Sequence, residues 1–175
     1  MGESGVVLLL LGALMGMGMD GRPVDPFKAD ITVLVFVRTD CPISNRYAPE
    51  IQRISSEFSA KNVRFWMVYP DASESPEHIR KHVAEYGFPG EPLRDPKKEL
   101  VKLAQVRVTP EVAIFAAGAK LVYHGRIDDR VAGFGKSRAQ ASTHDLETAL
   151  AAIAAGRPVP REKTSAVGCY ISDLP

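Results

Sequence analysis

Cys41 and Cys169 are the only cysteines among 175 residues, so any thiol chemistry rests on one sulfur or on one pair. That count excludes a four-thiolate zinc site and a disulfide-built miniprotein. Cys41 follows the run Ile31-Thr-Val-Leu-Val-Phe-Val37 and precedes Pro42 at the head of an amphipathic segment, a strand-to-helix turn. Unpaired backbone N–H groups and the positive end of a helix dipole favour a thiolate there. Thiolate is the attacking species in disulfide exchange and in peroxide reduction. The plainer alternative is a small buried apolar cysteine, the commoner fate of an isolated one. His78 and His82 stand at i and i+4, a spacing that suits zinc, but position 79 is Ile rather than the Glu of a metalloprotease motif. A solvated helix face is therefore expected, with no metal and no cofactor. His124 and His144 carry no assigned role.

Several elements must position Cys41. Its strand is almost unbroken in apolar and β-branched residues, as befits a strand covered on both faces. Ile43, Tyr47, Ile51, Ile54 and Phe58 recur at steps of three and four and predict a helix from Pro42 to about Ala60. Val63 to Val68 reads as a second strand, and this order implies parallel pairing. Ser75-Pro76 opens a helix that Gly87 ends, and Asp95-Pro96 opens a shorter one through about Ala104. Val112 to Phe115 and Leu121 to Tyr123 form a β-hairpin. Ser142, with Asp145 as its acidic partner, caps a last helix that Gly156 closes. The fold class is α/β, in one domain.

Lys and Arg number 22 against 21 Asp and Glu, so no strong basic field exists to hold nucleic acid or an anionic membrane. The apolar run Val6 to Met15 is too short to span a bilayer and reads as a signal-peptide core followed by small residues. The absence of an early Lys or Arg keeps two alternatives open: a retained hydrophobic segment, or a true start at Met17 or Met19. The expected divisions are 1–19 for this segment, 20–156 for the domain and 157–175 for an aperiodic tail carrying Cys169. No stable membrane insertion is expected. Export predicts an extracytoplasmic location, with a cytoplasmic one as the alternative.

The strand VLVFV, the stretch Thr39-Asp40-Cys41-Pro42-Ile43-Ser44 and Pro49 inside the helix resemble the active-site region of thioredoxin-fold proteins. In that family a helix proline at this offset bends the active-site helix, and Pro49 also removes an N–H and crowds the Asn45 carbonyl. Val108-Thr109-Pro110-Glu111 is similar to the loop in which the family carries a cis-proline beside its nucleophile. The resemblance covers approximately residues 20 to 156 and fits the redoxin branch, AhpC/TSA-like or thiol-disulfide oxidoreductase-like. With Gly125-Arg-Ile-Asp-Asp129 and Gly168-Cys169 it resembles a group of bacterial, exported redoxin-like proteins. It implies a three-layer α/β/α fold with a mixed central sheet, and a protein or small-molecule thiol or disulfide as substrate. It also implies Cys41 as nucleophile, with Thr109 and Pro110 beside it.

The departures narrow the chemistry. Ser44 stands where a dithiol oxidoreductase has its second cysteine, so the usual short-range disulfide is excluded. Arg38 stands where peroxiredoxins have Thr or Ser, which weakens a peroxidase reading, and Asn45 replaces the second cysteine of copper-delivery members. Cys169 is then the available partner, as a resolving thiol, as half of a structural clamp, or as an unpaired thiol in the terminus. Of Arg38, Arg46 and Arg126, all able in principle to hold a thiolate, Arg126 is favoured because GRIDD leaves the hairpin and Asp128 is placed to hold it. Asp40 is expected to face solvent. Two functions remain: a thiol-dependent oxidoreductase acting on disulfide or peroxide, and a non-catalytic binding module with a permanent Cys41–Cys169 staple.

Overall fold

The computed structural model describes residues 15–172, so most of the expected export core lies outside it. Seven strands form one mixed sheet in the order β2 (Pro23–Val24), β1 (Gly16–Met17), β5 (Glu91–Arg94), β4 (Val63–Tyr69), β3 (Ile31–Phe36), β7 (Glu111–Ala116) and β8 (Lys120–Gly125). β3, β4 and β5 run parallel, whereas β7, β8, β1 and β2 join antiparallel. The expected parallel pair and terminal hairpin are both present. Gly16–Met17, at the expected signal cleavage site, is a strand of this sheet.

β3 shows why the sheet carries helices on both faces. Val33 and Val35 point into a cluster with Tyr47, Ile51 and Phe58 of α1 (Pro42–Phe58), Ile79 of α2 (Pro76–Tyr86) and Leu146 and Leu150 of α4 (Asp145–Ala154). Leu34 and Phe36 point the other way, among Leu100, Val101 and Ala104 of α3 (Glu99–Ala104) and Ile171 of the tail. The result is the expected three-layer arrangement. Two small sheets lie outside it: β9 (Val131–Gly133) with β10 (Lys136–Ser137), and β6 (Val108–Thr109) with β11 (Cys169–Tyr170).

Helix starts obey capping physics, at the expected positions for α1 and α2 and displaced for α3 and α4. Ser75 caps α2, its hydroxyl accepting from His78 N, and Gly87 ends that helix at φ +65°. Asp95 does not open α3 directly: its carboxylate accepts from Glu99 N and Val101 N, and the helix begins only after Lys98 turns left-handed. Ser142 is not the cap of α4: His144 holds that position, and the N–H groups of Ser142 and Thr143 donate to Asp129 Oδ1. α1 runs through Pro49 to Phe58 and then tightens into the 3-10 turn Ser59–Lys61.

Candidate active site

Cys41 occupies the N-cap of α1 with Pro42 in the first helical position, as the sequence predicts. Its backbone is fixed by Cys41 N donating to Arg38 O (3.3 Å) and Asn45 N donating to Cys41 O (3.1 Å). The side chain is wholly buried, and its Sγ–H donates to the Thr109 carbonyl at 3.1 Å. The Thr109–Pro110 peptide bond is cis, so this carbonyl belongs to the loop that walls the sulfur.

The tail completes the site. β11 pairs antiparallel with β6, placing Cys169 opposite Thr109 and Tyr170 opposite Val108, and Ile171 N donates to Arg107 O at 3.0 Å. Upstream the same tail runs beside β8: His124 N donates to Glu162 O, Thr164 N donates to His124 O, and Thr164 Oγ1 bonds Tyr123 Oη and accepts from Arg126 N. Gly125 makes this approach feasible, since a Cβ there lies 2.3 Å from Thr164 O. Both cysteines are free thiols.

Their acidities are driven apart. Burial pushes the Cys41 thiol up, but hydrogen bonds from Cys169, from the hydroxyl and backbone of Ser44 and from Thr109 outweigh it and leave the thiol below its ordinary value. Ser44 supplies the clearest structural correlate. Its hydroxyl is fully buried and has no partner while the sulfur is a thiol turned to Thr109 O, so it is free to donate once the sulfur carries charge. Cys169 is pushed up to about 12 by burial first, then by the hydrogen bond and negative charge of Cys41, against a lowering by Arg38. Of the two sulfurs, Cys41 is therefore the one that gives up its proton first.

A measurable pH dependence follows. Ultraviolet thiolate absorbance of the reduced chain rises in two steps, one below and one well above the ordinary thiol value. Cys169→Ala removes a donor and moves the lower midpoint up. Because Cys41 is more acidic folded than unfolded, its stabilisation is present above the unfolded pKa and fades as pH falls through the folded one. A lower midpoint unmoved by Cys169→Ala refutes this coupling.

Further groups brace the site. Glu74 Oε1 accepts from Thr39 N (2.7 Å), and Glu111 Oε2 accepts from Arg107 N (2.8 Å) and Val108 N (3.2 Å). Burial pushes both carboxyls up, against those amide bonds. Asn45 donates from Nδ2 to Thr39 O and faces His82 Nε2 with Oδ1 (2.7 Å), while His82 Nδ1 meets Tyr69 Oη (2.9 Å). Asn45 Oδ1 can only accept, so Nε2 carries the proton and Nδ1 accepts from the tyrosine. His82 is thus buried, not on a solvated face as expected. Tyr69 and Asn45 reach it from neighbouring elements that helical spacing does not reveal.

Arg126 also departs from expectation. Its guanidinium holds Asp145 at the start of α4 (2.7 Å) and Thr143, while Asp128 accepts from Tyr47 Oη and Arg130 N instead. The arginine at the thiol site is Arg38. It donates to Tyr170 O at 3.4 Å and is held by Asp40 (2.9 Å) and Asp71 (3.5 Å), with Asp40 exposed as expected. Arg46 reaches Ser137 of β10. A cavity of about 830 Å³ lies away from the sulfurs and is lined in part by Glu50, His144 and Glu147. Those three are grouped closely enough to ligate a cation, but Arg53 already neutralises the carboxylates, bonding Glu50 at 2.7 Å and also Glu147.

Solved structures share this architecture. The chain is similar to an uncharacterized conserved protein from Geobacillus kaustophilus, at 28% identity and TM-score 0.77 over 92% of this chain and 88% of that one. A hypothetical protein from Sinorhizobium meliloti matches at 20% identity and TM-score 0.75 over 90% and 88%. A secreted Mycobacterium tuberculosis disulfide oxidoreductase matches at 19% identity and TM-score 0.51 over 61% and 78%. The fold is thus thioredoxin-like. No curated protein matches the chain. The family model described as AhpC/TSA matches residues 20–124, more than half of the sequence, from the strand before Cys41 through the proline loop and hairpin: the chain belongs to the AhpC/TSA family.

Proposed function

We propose that the chain is a thiol–disulfide oxidoreductase in which Cys41 attacks and Cys169 resolves. One observation carries this reading: two free thiols meet on one loop at a helix N-terminus, Cys41 Sγ donating to the Thr109 carbonyl and Cys169 pairing opposite Thr109, with one thiol made more acidic and the other less. The Cys41 thiolate attacks a substrate disulfide, forming a mixed disulfide and expelling the substrate's second sulfur as thiolate. Cys169 then loses its proton and attacks Cys41 Sγ, releasing the first substrate sulfur as thiolate. The substrate gains two electrons and two protons, and an external dithiol restores the reduced pair. The order is built into the electrostatics. Cys169 is held protonated by burial and, after it, by the hydrogen bond and charge of Cys41; the Cys41 contributions vanish once Cys41 is in a mixed disulfide, which lowers the Cys169 thiol toward its ordinary range with Arg38 beside it.

Residues 20–156 then supply the nucleophile and the Thr109–Pro110 wall, and the tail from 157 onward supplies the resolving thiol. Because Cys41 is fully buried beneath β11, the tail strand lifts before a substrate disulfide reaches the sulfur. We also propose an extracytoplasmic location from the apolar run before Met15; a mature N-terminus at Met1 argues against export. No helix among the described residues is long and apolar enough to cross a membrane.

A redox titration against glutathione or dithiothreitol buffers, read by thiol alkylation and mass, tests the central claim. A Cys41–Cys169 couple between about −270 and −120 mV supports an exchange role. A couple below about −300 mV marks a permanent staple and overturns it. Peroxide consumption that depends on Cys41 and outpaces disulfide reduction favours the peroxidase alternative.

A further inference from the structure

β6 is two residues long, and the edge it turns toward the thiol is occupied by the chain's own residues 168–171. Taken position by position, this seat makes unequal demands. At the residue before the cysteine, a Cβ on Gly168 lies 2.2 Å from Thr109 O, 2.6 Å from Thr109 C and 3.2 Å from Pro110 N. All three are backbone atoms of a loop pinned by Glu111, so they do not yield to a side chain. At the cysteine, strand pairing sets Cys169 opposite Thr109, the residue whose carbonyl accepts from Cys41 Sγ at 3.1 Å, which brings the second sulfur to the side of the nucleophile. One residue later the side chain is unconstrained, Tyr170 being 74% exposed, and only its carbonyl is used, by Arg38. Two residues later Ile171 is 6% exposed and joins the apolar cluster of Leu100, Val101, Ala104 and Val106.

We infer that the groove edged by Arg107, Val108 and Thr109 selects extended polypeptide segments of the pattern Gly-Cys-x-aliphatic, the tail being its resident copy. The inference rests on the thiol-exchange reading and names its substrate class. The backbone bonds to β6 give sequence-independent affinity, as in strand addition to a sheet edge, and the glycine and aliphatic positions give selectivity. Tail and substrate exclude one another from a single seat. A substrate must displace residues 168–171, and when the tail returns with Cys169 it both resolves the mixed disulfide and evicts the reduced segment. The strap at Glu162–Thr164, bonded to β8, stays in place and keeps the tail's local concentration high.

The test uses the full-length Cys169→Ser chain and the peptide Ala-Val-Gly-Cys-Tyr-Ile-Ser, its cysteine carried as a mixed disulfide with thionitrobenzoate. Attack by Cys41 breaks that bond, forms the protein–peptide disulfide and releases the coloured thionitrobenzoate anion. Replacing the peptide's glycine by valine, or its isoleucine by aspartate, slows release by about tenfold or more, whereas tyrosine to alanine changes it by less than about twofold. Ile171→Asp in the chain loosens the resident copy and accelerates every peptide without changing their ranking. Equal rates for all the peptides, with Ellman's reagent itself still reacting at Cys41, overturn the selectivity and leave the exchange reading standing. Failure of Ellman's reagent and every peptide to modify Cys41 overturns both.

Discussion

Cys41→Ser lowers disulfide reduction by about a thousandfold or more, and Cys169→Ser instead accumulates a protein–substrate mixed disulfide. The first effect is large because no other group substitutes. A serine hydroxyl at the same N-cap is not ionised near neutral pH, and the remaining thiol is half-buried with its pKa pushed up to about 12 in the reduced pair. Removing Cys41 relieves part of that rise, but Cys169 lies on β11 rather than at a helix N-terminus, so it gains no dipole in exchange. The second effect separates the roles: with Cys169 gone, the nucleophile survives and only release is blocked. Non-reducing electrophoresis and intact mass read the trapped adduct, and steady-state rates read the loss. A Cys41→Ser chain retaining more than about a tenth of the wild-type rate transfers the nucleophile's role to Cys169.

Gly125→Ala destabilises the fold by about 3–5 kcal/mol, through left-handed strain plus the loss of several buried hydrogen bonds. The residue sits at φ +144°, and its Cβ meets Thr164 O and Oγ1 each at 2.3 Å and Thr164 N at 2.8 Å. The strap must back away, which breaks the bonds of Thr164 to His124 O, Arg126 N and Tyr123 Oη. Cys169, anchored downstream of that strap, then alkylates much faster. Gly118→Ala is the control: φ is also positive, +75°, but no atom lies within 4 Å of the added Cβ, so the cost is about 1 kcal/mol. Urea denaturation of both variants reads the difference. Equal losses at the two positions show that conformation, not the strap, sets the cost.

The nucleophile's surroundings were legible where they depend on local chain order. An apolar strand, Pro42 and the three-to-four periodicity of Ile43 through Phe58 suffice to put Cys41 at a helix start, and a proline loop followed by VAIF suffices to suggest its neighbour. What failed depended on groups far away in sequence. Arg126 has three nearby acidic residues to choose from, and only the packing of α4 selects Asp145 over Asp128. His82 looks solvated on a helical wheel because Tyr69 and Asn45 arrive from β4 and α1. Glu111 was within reach: it directly follows Pro110, and a carboxylate there has few roles besides gathering the loop's amides. Glu74, in an aperiodic loop, gave no signal.

The path of the tail has a consequence for how molecules of this chain meet one another. β8 is the last strand of the main sheet, and residues 162–164 occupy its outer edge at His124, taking that residue's amide and carbonyl, with Lys163 opposite it. The opposite rim ends in the two-residue β2, whose Pro23 has no amide proton to offer. Both rims are therefore obstructed at a point, which hinders intermolecular strand pairing, the route by which open sheets polymerise. Proteolytic loss of the tail removes the block at His124 and leaves the edge of Lys120–Gly125 continuous, so the nicked protein is expected to self-associate at concentrations where the intact one stays dispersed.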